Sequence, residues 1–243
     1  MGEFYQSISR YYDNIFPLSD MLKRFLLSFG IRREDHILDL GCATGEVALF
    51  LASHCDKTIG IDLDADLIHI AHTKQKNHGI ENTQFFVRNM NDLTIFSSRQ
   101  FQFALCLGNT LVHITSLEVV DSLFRKVAHI LSEGGRFIFQ ILNYEKILAR
   151  RTVALPLIDN DKVAFERWYD HEIHKPLLAF NTRLTVKATS EIIDNSIDIY
   201  PLQRAELLNM SSRQLFASVQ FLGGFDGRTF GEEDDLFIGV WER

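Results

Sequence analysis

The segment HILDLGCATGEVALFLA at residues 36–52 constrains the fold of this chain more than any other. Ile37, Leu38 and Leu40 are apolar, and an acidic residue and two glycines interrupt the run before apolar residues resume. This order predicts a buried strand, a tight turn and a helix. A glycine turn between a strand and a helix usually faces a ligand, so the segment is also the first candidate for a binding site.

Further apolar or β-rich runs alternate with segments that have the spacing of a helix. These runs lie at about 57–63, 83–89, 101–108 and 135–143. The clearest helix is Ser116 to Leu131, with Gly134 and Gly135 closing its end. Such alternation is typical of a parallel sheet with crossover helices, which makes the chain an α/β protein.

The pattern changes after Tyr144. Residues 145–200 contain stretches in which apolar and polar residues alternate, and this predicts an antiparallel β insertion that forms a lid. A helical stretch at 202–216 precedes two final strands, ASVQFLG and LFIGVWE. The connection between them, GFDGRTFGEEDD, is long for a hairpin and is therefore expected to be either functional or mobile.

Composition limits the class of protein. At 243 residues, 46% of them apolar, the chain can bury the core of a single domain, 1–243. A formal charge of −7 argues against nucleic acid as a partner. No stretch approaches the ~18 apolar residues of a membrane span. Cys42, Cys55 and Cys106 have neither metal-type spacing nor an even number, so we expect a soluble, cytoplasmic protein without a metal.

The glycine turn does not fit a phosphate site. A dinucleotide fold needs glycine at the first, third and sixth positions of the turn, which here are Gly41, Ala43 and Glu46. A glutamate at the start of a helix would repel a phosphate. A P-loop is excluded as well, because no Lys-Ser/Thr pair follows the glycines. What remains is a first, third and fifth pattern of small residues, with Gly45 at the fifth position.

Two aspartates accompany this turn. Asp39 precedes it, and Asp62 ends the second predicted strand. A carboxylate at the second position can accept both hydroxyls of a ribose, as in other doubly wound sheets. Alternatively, Asp62 is an ordinary turn residue beside Asp64, which would cap the next helix.

The Asp-Leu-Gly-Cys-Ala-Thr-Gly string and Asp62 resemble motifs I and II of class I S-adenosylmethionine-dependent methyltransferases. The resemblance covers residues 36–143 closely and the last two strands loosely. It implies a Rossmann-like doubly wound sheet of seven strands, the last pair antiparallel, with an N-terminal helical cap at 1–34. The implied cofactor is S-adenosylmethionine, with the small-residue turn beneath its methionine part and Asp62 on its ribose. The implied cofactor residues in this region are Tyr12, Asp39, Gly41, Cys42, Ala43, Gly45, Asp62, Leu63, Asn89 and Met90.

The two adenine candidates, Asn89 and Met90, follow the third strand. The family often has aspartate at the first of these positions, but an amide can also hydrogen-bond an adenine edge.

Two further strings resemble the glycine N-methyltransferase-like branch of this family. In LGNTLVHI the resemblance assigns Leu107 and His113 to the cofactor and Asn109 to the methyl acceptor. In LNYEKIL the branch has an arginine before the Asn-Tyr pair that holds a carboxylate, whereas this chain has Leu142. A leucine cannot bind an anion, which predicts that glycine is not a useful acceptor.

The expected acceptor is therefore a neutral or partly apolar small molecule with an amine or hydroxyl. Asn109, Tyr144 and Tyr200 are expected to bind it, and the lid offers Phe165, Trp168 and Phe180 as walls.

Methyl transfer is an in-line displacement that needs alignment and a water-poor pocket more than a catalytic dyad. We therefore assign no catalytic residue. A hydroxyl acceptor would benefit from a base, for which His113, His171 and His174 are candidates. Two alternatives remain open at this point: a protein that binds S-adenosylmethionine without catalysis, and a methyltransferase that acts on protein or RNA.

Overall fold

The computed structural model describes residues 7–172 and 176–243. Its larger sheet has seven strands in the order β10-β11-β5-β4-β1-β2-β3. The strands are β1 (His36–Leu40), β2 (Lys57–Asp62), β3 (Thr83–Val87), β4 (Phe101–Cys106), β5 (Leu131–Leu142), β10 (Ser218–Leu222) and β11 (Leu236–Glu242). Strand β11 is antiparallel to both β5 and β10, and the remaining pairs are parallel. The predicted fold class, with its antiparallel final pair, is confirmed.

The helices lie where the apolar spacing predicts them, with shifts at their ends. They are α1 (Tyr12–Ile15), α2 (Asp20–Leu27), α3 (Glu46–Ala52), α4 (Ala65–His78), α5 (Leu117–Ile130), α6 (Tyr144–Ala149) and α7 (Arg204–Asn209). Short 3-10 helices lie at Ser9–Tyr11, Thr110–His113 and Ser211–Leu215. Ser116 caps α5 by accepting a hydrogen bond from the Val119 N–H. That helix stops before Leu131, where the backbone becomes extended and starts β5, four residues ahead of the predicted strand.

The predicted antiparallel insertion is a second sheet of four strands in the order β6-β7-β8-β9. These strands are β6 (Ile158–Asp159), β7 (Val163–Asp170), β8 (Leu178–Val186) and β9 (Glu191–Ile199). All of their pairings are antiparallel. One face of this sheet packs on the N-terminal segment, where Phe165 and Leu184 cluster with Ile8 and Ile15. We call this the inner face.

The long connection between β10 and β11 is fastened to the body of the protein. The Asn143 side chain donates hydrogen bonds to the backbone oxygens of Glu232 and Asp234. Arg228 forms ion pairs with Asp226 and Asp234 across the loop. These contacts give the loop a structural role, and they account for its length without a ligand. No helix in the described ranges is long and apolar enough to cross a membrane.

Candidate functional site

A cleft of about 310 Å³ opens at the carboxyl ends of β1, β2, β3 and β4. This is the edge at which ligands bind in open α/β sheets. The cleft is lined by Tyr12, Gly41, Ala43, Ile61, Asp62, Leu63, Asp64, Leu67, Arg88, Asn89, Met90, Asn91, Gly108, Thr110, His113, Ile114, Thr115, Ser116 and Val119.

Backbone conformation shapes the turn between β1 and α3. Gly41 and Gly45 have φ angles of 72° and 78°, in the left-handed region that favours glycine. A side chain on Gly41 would overlap the Cγ2 atom of Thr110, and one on Gly45 would lie 2.5 Å from the Phe85 ring. Ala43 also has a positive φ, 48°, although it carries a Cβ. The turn therefore depends on small residues at the first, third and fifth positions.

Asp62 holds this turn in place. One of its carboxylate oxygens accepts the Ala43 N–H at 2.9 Å, and the other accepts the Asp64 N–H at 2.9 Å. Asp64 in turn caps α4 by accepting the backbone N–H groups of Asp66 and Leu67. The two interpretations of Asp62 are thus compatible, because it lines the cleft and also organises the turn.

Two carboxyl groups and an imidazole around the cleft have shifted pKa values. Burial, together with the nearby negative charge of Asp62, raises the pKa of the Asp39 carboxyl to about 7. Burial also raises the pKa of Asp62. Burial has the opposite effect on His113 and lowers its pKa to about 4, so the imidazole is neutral at pH 7.

Most of the residues predicted to hold a cofactor line the cleft. The structure places Tyr12, Gly41, Ala43, Asp62, Leu63, Asn89, Met90 and His113 on its surface. Asp39, Cys42, Gly45 and Leu107 do not line it but belong to the elements that form its floor. Cys42 is buried, and burial raises the pKa of its thiol well above the usual range, which makes it unreactive.

The predicted acceptor residues lie beside the cleft and do not line it. Asn109, which has a φ of 66°, accepts the Leu142 N–H at 3.0 Å and donates to the Tyr144 hydroxyl at 2.9 Å. The Tyr144 hydroxyl lies 3.5 Å from that of Tyr169 in the second sheet. The structure therefore brings Asn109 and Tyr144 together at the junction of the two sheets.

Tyr200, the third predicted acceptor residue, makes different contacts. Its hydroxyl donates to Glu206 at 2.6 Å, and its N–H donates to the Val112 oxygen at 2.8 Å. Its binding role stays a prediction.

The three aromatic lid candidates lie in strands of the second sheet. Phe165 and Phe180 lie on its inner face, whereas strand alternation places Trp168 on the opposite face. The His171 ring hydrogen-bonds the Thr152 oxygen at 2.8 Å. His174 lies outside the described residues.

A polar cluster ties the N-terminal segment to the glycine turn. Thr44 donates a hydrogen bond to Asp13, and Lys74 of α4 forms ion pairs with Asp13 and Glu46. Glu46, which would repel a phosphate, is thus paired with a lysine. The cluster lies next to the cleft, because Tyr12, the neighbour of Asp13 in sequence, lines it.

Sequence reasoning missed several residues that line the cleft, including Arg88, Asn91, Thr115, Ser116 and Val119. Asp64 Oδ2 and Asn91 Oδ1 are buried there and accept no hydrogen bond from any described residue. The polar string that contains Asn91 follows β3, and this position at the end of a parallel strand is the signal that could have identified it.

Residues 37–135 match the family model described as "Methyltransferase domain". A protein of Geobacillus sp. (strain WCH70) that is named as a methyltransferase is 27% identical over 143 residues, which cover 56% of this chain and 57% of that relative. The chain thus spans little more than half the length of this relative. A 23S rRNA (uracil(1939)-C(5))-methyltransferase of Legionella pneumophila (strain Lens) is 29% identical over 73 residues, which cover 30% of this chain and 16% of that enzyme.

Solved structures share the whole architecture. An S-adenosylmethionine-dependent methyltransferase from Clostridium acetobutylicum superposes with a TM-score of 0.81 at 16% identity, over 98% of both chains. An amino pentose methyltransferase from Micromonospora echinaspora, solved with S-adenosylmethionine bound, superposes with a TM-score of 0.62 at 14% identity. The match covers 97% of this chain and 95% of that enzyme. The fold is therefore that of S-adenosylmethionine-dependent methyltransferases. These findings agree with the predicted enzyme class and cofactor, whereas the glycine N-methyltransferase-like branch stays a prediction.

Proposed function

We propose that this chain, which carries a methyltransferase domain in a class I fold, transfers a methyl group from S-adenosylmethionine to an amine or hydroxyl of a small molecule. The observation that carries the proposal is the cleft itself. It lies over the Gly41–Ala43–Gly45 turn and is lined by Asp62, Asn89 and Met90, which the family resemblance assigns to this cofactor.

The polar groups of the cleft suit an adenosine. Asp64 Oδ2 and Asn91 Oδ1 are buried acceptors that lack a donor among the described residues, and a buried acceptor without a partner costs about 1–3 kcal/mol. The amino group and hydroxyls of an adenosine supply such donors. Asp62 uses one lone pair of each oxygen on the backbone and keeps others for ribose hydroxyls.

The bound cofactor would supply the methyl group on a sulfonium that loses its charge in the reaction. The protein's part is mainly to align the acceptor and exclude water, and alignment alone can contribute about 7–11 kcal/mol. The Asn109–Tyr144 pair is fixed by hydrogen bonds to the backbone of β5 and to the second sheet, so it can orient an acceptor. His113 is a weak base because of its lowered pKa, and we assign it a contact role.

A small-molecule acceptor is favoured over RNA. The chain carries a formal charge of −7, whereas bulk binding of a polyanion needs concentrated positive charge. The match to the rRNA methyltransferase covers 30% of this chain, while the amino pentose methyltransferase shares the second sheet as well as the first.

Calorimetry provides the first test. S-adenosylhomocysteine should bind the protein, and NAD should give little or no heat. Tight binding of NAD without binding of S-adenosylhomocysteine would contradict the proposal. A protein that binds S-adenosylhomocysteine but transfers no label to any amine, alcohol or RNA would instead be the non-catalytic binder.

Glycine provides a second test of the acceptor. Since Leu142 replaces the arginine that would hold its carboxylate, we expect no useful transfer of radiolabelled methyl groups to glycine. Efficient transfer to glycine that is lost on changing Asn109 would show that another cation sits within reach of this small acceptor.

A further inference from the structure

We infer that the methyl acceptor carries an anionic group at some distance from the methylated atom, and that Arg167 and Thr182 on the inner face of the second sheet bind this anion. The inference rests on the proposed function and names the class of its acceptor. An anionic acceptor of this kind differs from the neutral acceptor that we expect from Leu142 on sequence alone.

A polar row crosses the inner face of the second sheet. Arg167 on β7 is the register partner of Thr182 on β8, which is the partner of Asn195 on β9. Directly paired residues of an antiparallel sheet share a face, so these three side chains form one row. The rows on either side are apolar: Phe165, Leu184 and Ile193 on one, and Tyr169, Phe180 and Ile197 on the other. A polar row between two apolar rows needs a partner.

The protein itself supplies only part of that partner. Asn195 donates to the Ser7 hydroxyl at 2.8 Å, and one Nη of Arg167 donates to the Pro156 oxygen at 2.7 Å. The Nε of Arg167 and the hydroxyl of Thr182 are buried and have no hydrogen-bond partner in the described ranges. Thr182 is 1% exposed.

No ion pair links Arg167 to a carboxylate of the described residues, whereas Arg183 on the opposite face is paired with Asp194 by two hydrogen bonds. A buried hydroxyl and a guanidinium N–H without hydrogen-bond partners, on a cation without an ion pair among the described residues, favour an anionic ligand.

Two series of side-chain contacts link the row to the cleft and to the Asn109–Tyr144 pair. On one side, the ring centroids of Tyr12 and Phe16 are 5.2 Å apart, and those of Phe16 and Phe165 are 5.9 Å apart. The guanidinium carbon of Arg167 lies 5.9 Å from the centroid of the Phe165 ring. On the other side, Tyr169 joins Tyr144 at the Asn109 pair.

Strand β9 also contacts the 3-10 helix Thr110–His113, which lines the cleft. The aromatic contacts begin at Tyr12 in the cleft and include Phe16, which is 37% exposed.

The chemistry of the row selects an oxyanion. A guanidinium presents a planar fork of donors that matches a carboxylate or a phosphate, and a neighbouring hydroxyl adds a further donor. Arg167 is two residues from Tyr169 along β7, which is roughly 7 Å of strand. The anion would therefore lie about that much farther from the Asn109–Tyr144 pair than Tyr169 does. Such an acceptor is longer than glycine, and its anion would not need a cation at the position of Leu142.

The test compares three probes that share one chain and one amine: aminovalerate, aminopentyl phosphate and aminopentanol. Each is titrated calorimetrically into the protein loaded with S-adenosylhomocysteine. We expect one of the two anionic probes to bind at millimolar concentration or better, and the neutral alcohol to bind at least about tenfold more weakly. The stronger of the two anionic probes identifies a carboxylate or a phosphate as the group recognised. Equal binding of all three, or no binding of either anion, overturns the inference.

Variants assign the anion to its site. Arg167→Met should weaken binding of the anionic probe roughly 10- to 100-fold and leave binding of the alcohol unchanged. The affinity of Arg167→Lys for the anionic probe should lie between those of Arg167→Met and the unmodified protein. Arg183→Met, which removes the same charge from the opposite face, is the matched control and should bind like the unmodified protein. Equal losses in Arg167→Met and Arg183→Met would contradict a specific site.

Thr182→Val distinguishes a ligand group from a structural one. This variant removes a buried hydroxyl that has no partner, so it should raise the melting temperature. It should also weaken binding of the anionic probe. A higher melting temperature with unchanged binding of the anionic probe would show that Thr182 does not bind the anion. Binding of S-adenosylhomocysteine is measured for the unmodified protein and for every variant. If the unmodified protein does not bind S-adenosylhomocysteine, the proposed function is refuted. If it binds S-adenosylhomocysteine but does not prefer the anionic probes, only this inference is refuted.

Discussion

The cleft is shaped by backbone conformation, whereas the inner face of the second sheet is shaped by rows of side chains. Around residues 41–45, left-handed φ angles and a carboxylate that holds two N–H groups leave little freedom for another residue type. In the second sheet, regular strands place a side chain every second position, and any residue that fits its row is tolerated. The constrained region suits the proposed cofactor, and the more permissive one suits the proposed acceptor. The comparison predicts large effects of substitutions in the first region and small ones on the outer face of the second.

The largest effect is expected for Asp39→Asn. The folded pKa of about 7 lies above the ordinary 3.8, so the stability that the protonated carboxyl confers is lost as the pH rises from about 4 to about 7. A shift of about 3 pKa units corresponds to on the order of 4 kcal/mol. Relative to the unmodified protein without ligand, the variant should therefore gain unfolding free energy as the pH rises. Denaturant titrations at several pH values measure this difference, and a difference that does not vary with pH would contradict the raised pKa.

Gly41→Ala should cost about 2–4 kcal/mol of stability, from the left-handed φ and from overpacking. The overlapping side chain, Thr110, cannot turn away freely because its hydroxyl donates to the Leu107 oxygen at 2.7 Å. Gly79→Ala is the control, since Gly79 has a φ of 62° but no atom near the added Cβ. It should cost only the conformational part, about 1 kcal/mol. Equal losses in thermal unfolding would show that the close approach of Thr110 is unimportant.

Asp62→Ala should weaken binding of S-adenosylhomocysteine by roughly 1.5–3 kcal/mol, the range for hydrogen bonds to a charged group. Asp56→Ala, at the opposite end of β2, serves as the control because its exposed carboxylate pairs only with the surface residue His36 among the described ion pairs. Calorimetry compares the two. Unchanged affinity in Asp62→Ala would leave Asp62 as a turn residue alone.

The smallest effect is expected on the outer face of the second sheet. Asp194→Ala breaks the exposed pair with Arg183 and should leave stability almost unchanged, because solvent screens exposed ion pairs, and it should not affect cofactor binding. Chemical denaturation and calorimetry together check this. A loss as large as that of Gly41→Ala would remove the contrast between the two regions.

The sequence could predict the cleft because its determinants are local. Period-two and helical spacing identified the alternating strands and helices, and Gly41, Ala43 and Gly45 are neighbours whose spacing alone indicates the turn. The contribution of Asp62 follows from its place at the end of a strand. Arg88, Thr115 and Val119 were missed because they reach the cleft from two separate segments, the end of β3 and the start of α5.

The polar row of the second sheet could not be predicted either. Alternation shows that Arg167 shares a face with Phe165 and Tyr169, but not which residues lie opposite. Thr182 and Asn195 become its neighbours only through the register of two hairpins, which depends on packing against the N-terminal segment. The opposite error occurred at Trp168, which a sequence can propose as a lid wall although alternation places it on the other face.

The position of β11 has a consequence for the order in which the protein is made. This strand follows all the others along the chain, yet it lies between β5 and β10, and Arg136 of β5 is bonded to Glu242, 106 residues away. Trp241 of the same strand is fully buried against Phe124 and Phe216. During synthesis, β5 and the aromatic core therefore remain uncovered until residue 242 has been added. Because contacts so distant in sequence form slowly, the nascent chain exposes an unpaired edge of β5 while residues 143–242 are added, and the sheet closes only after translation has passed β11.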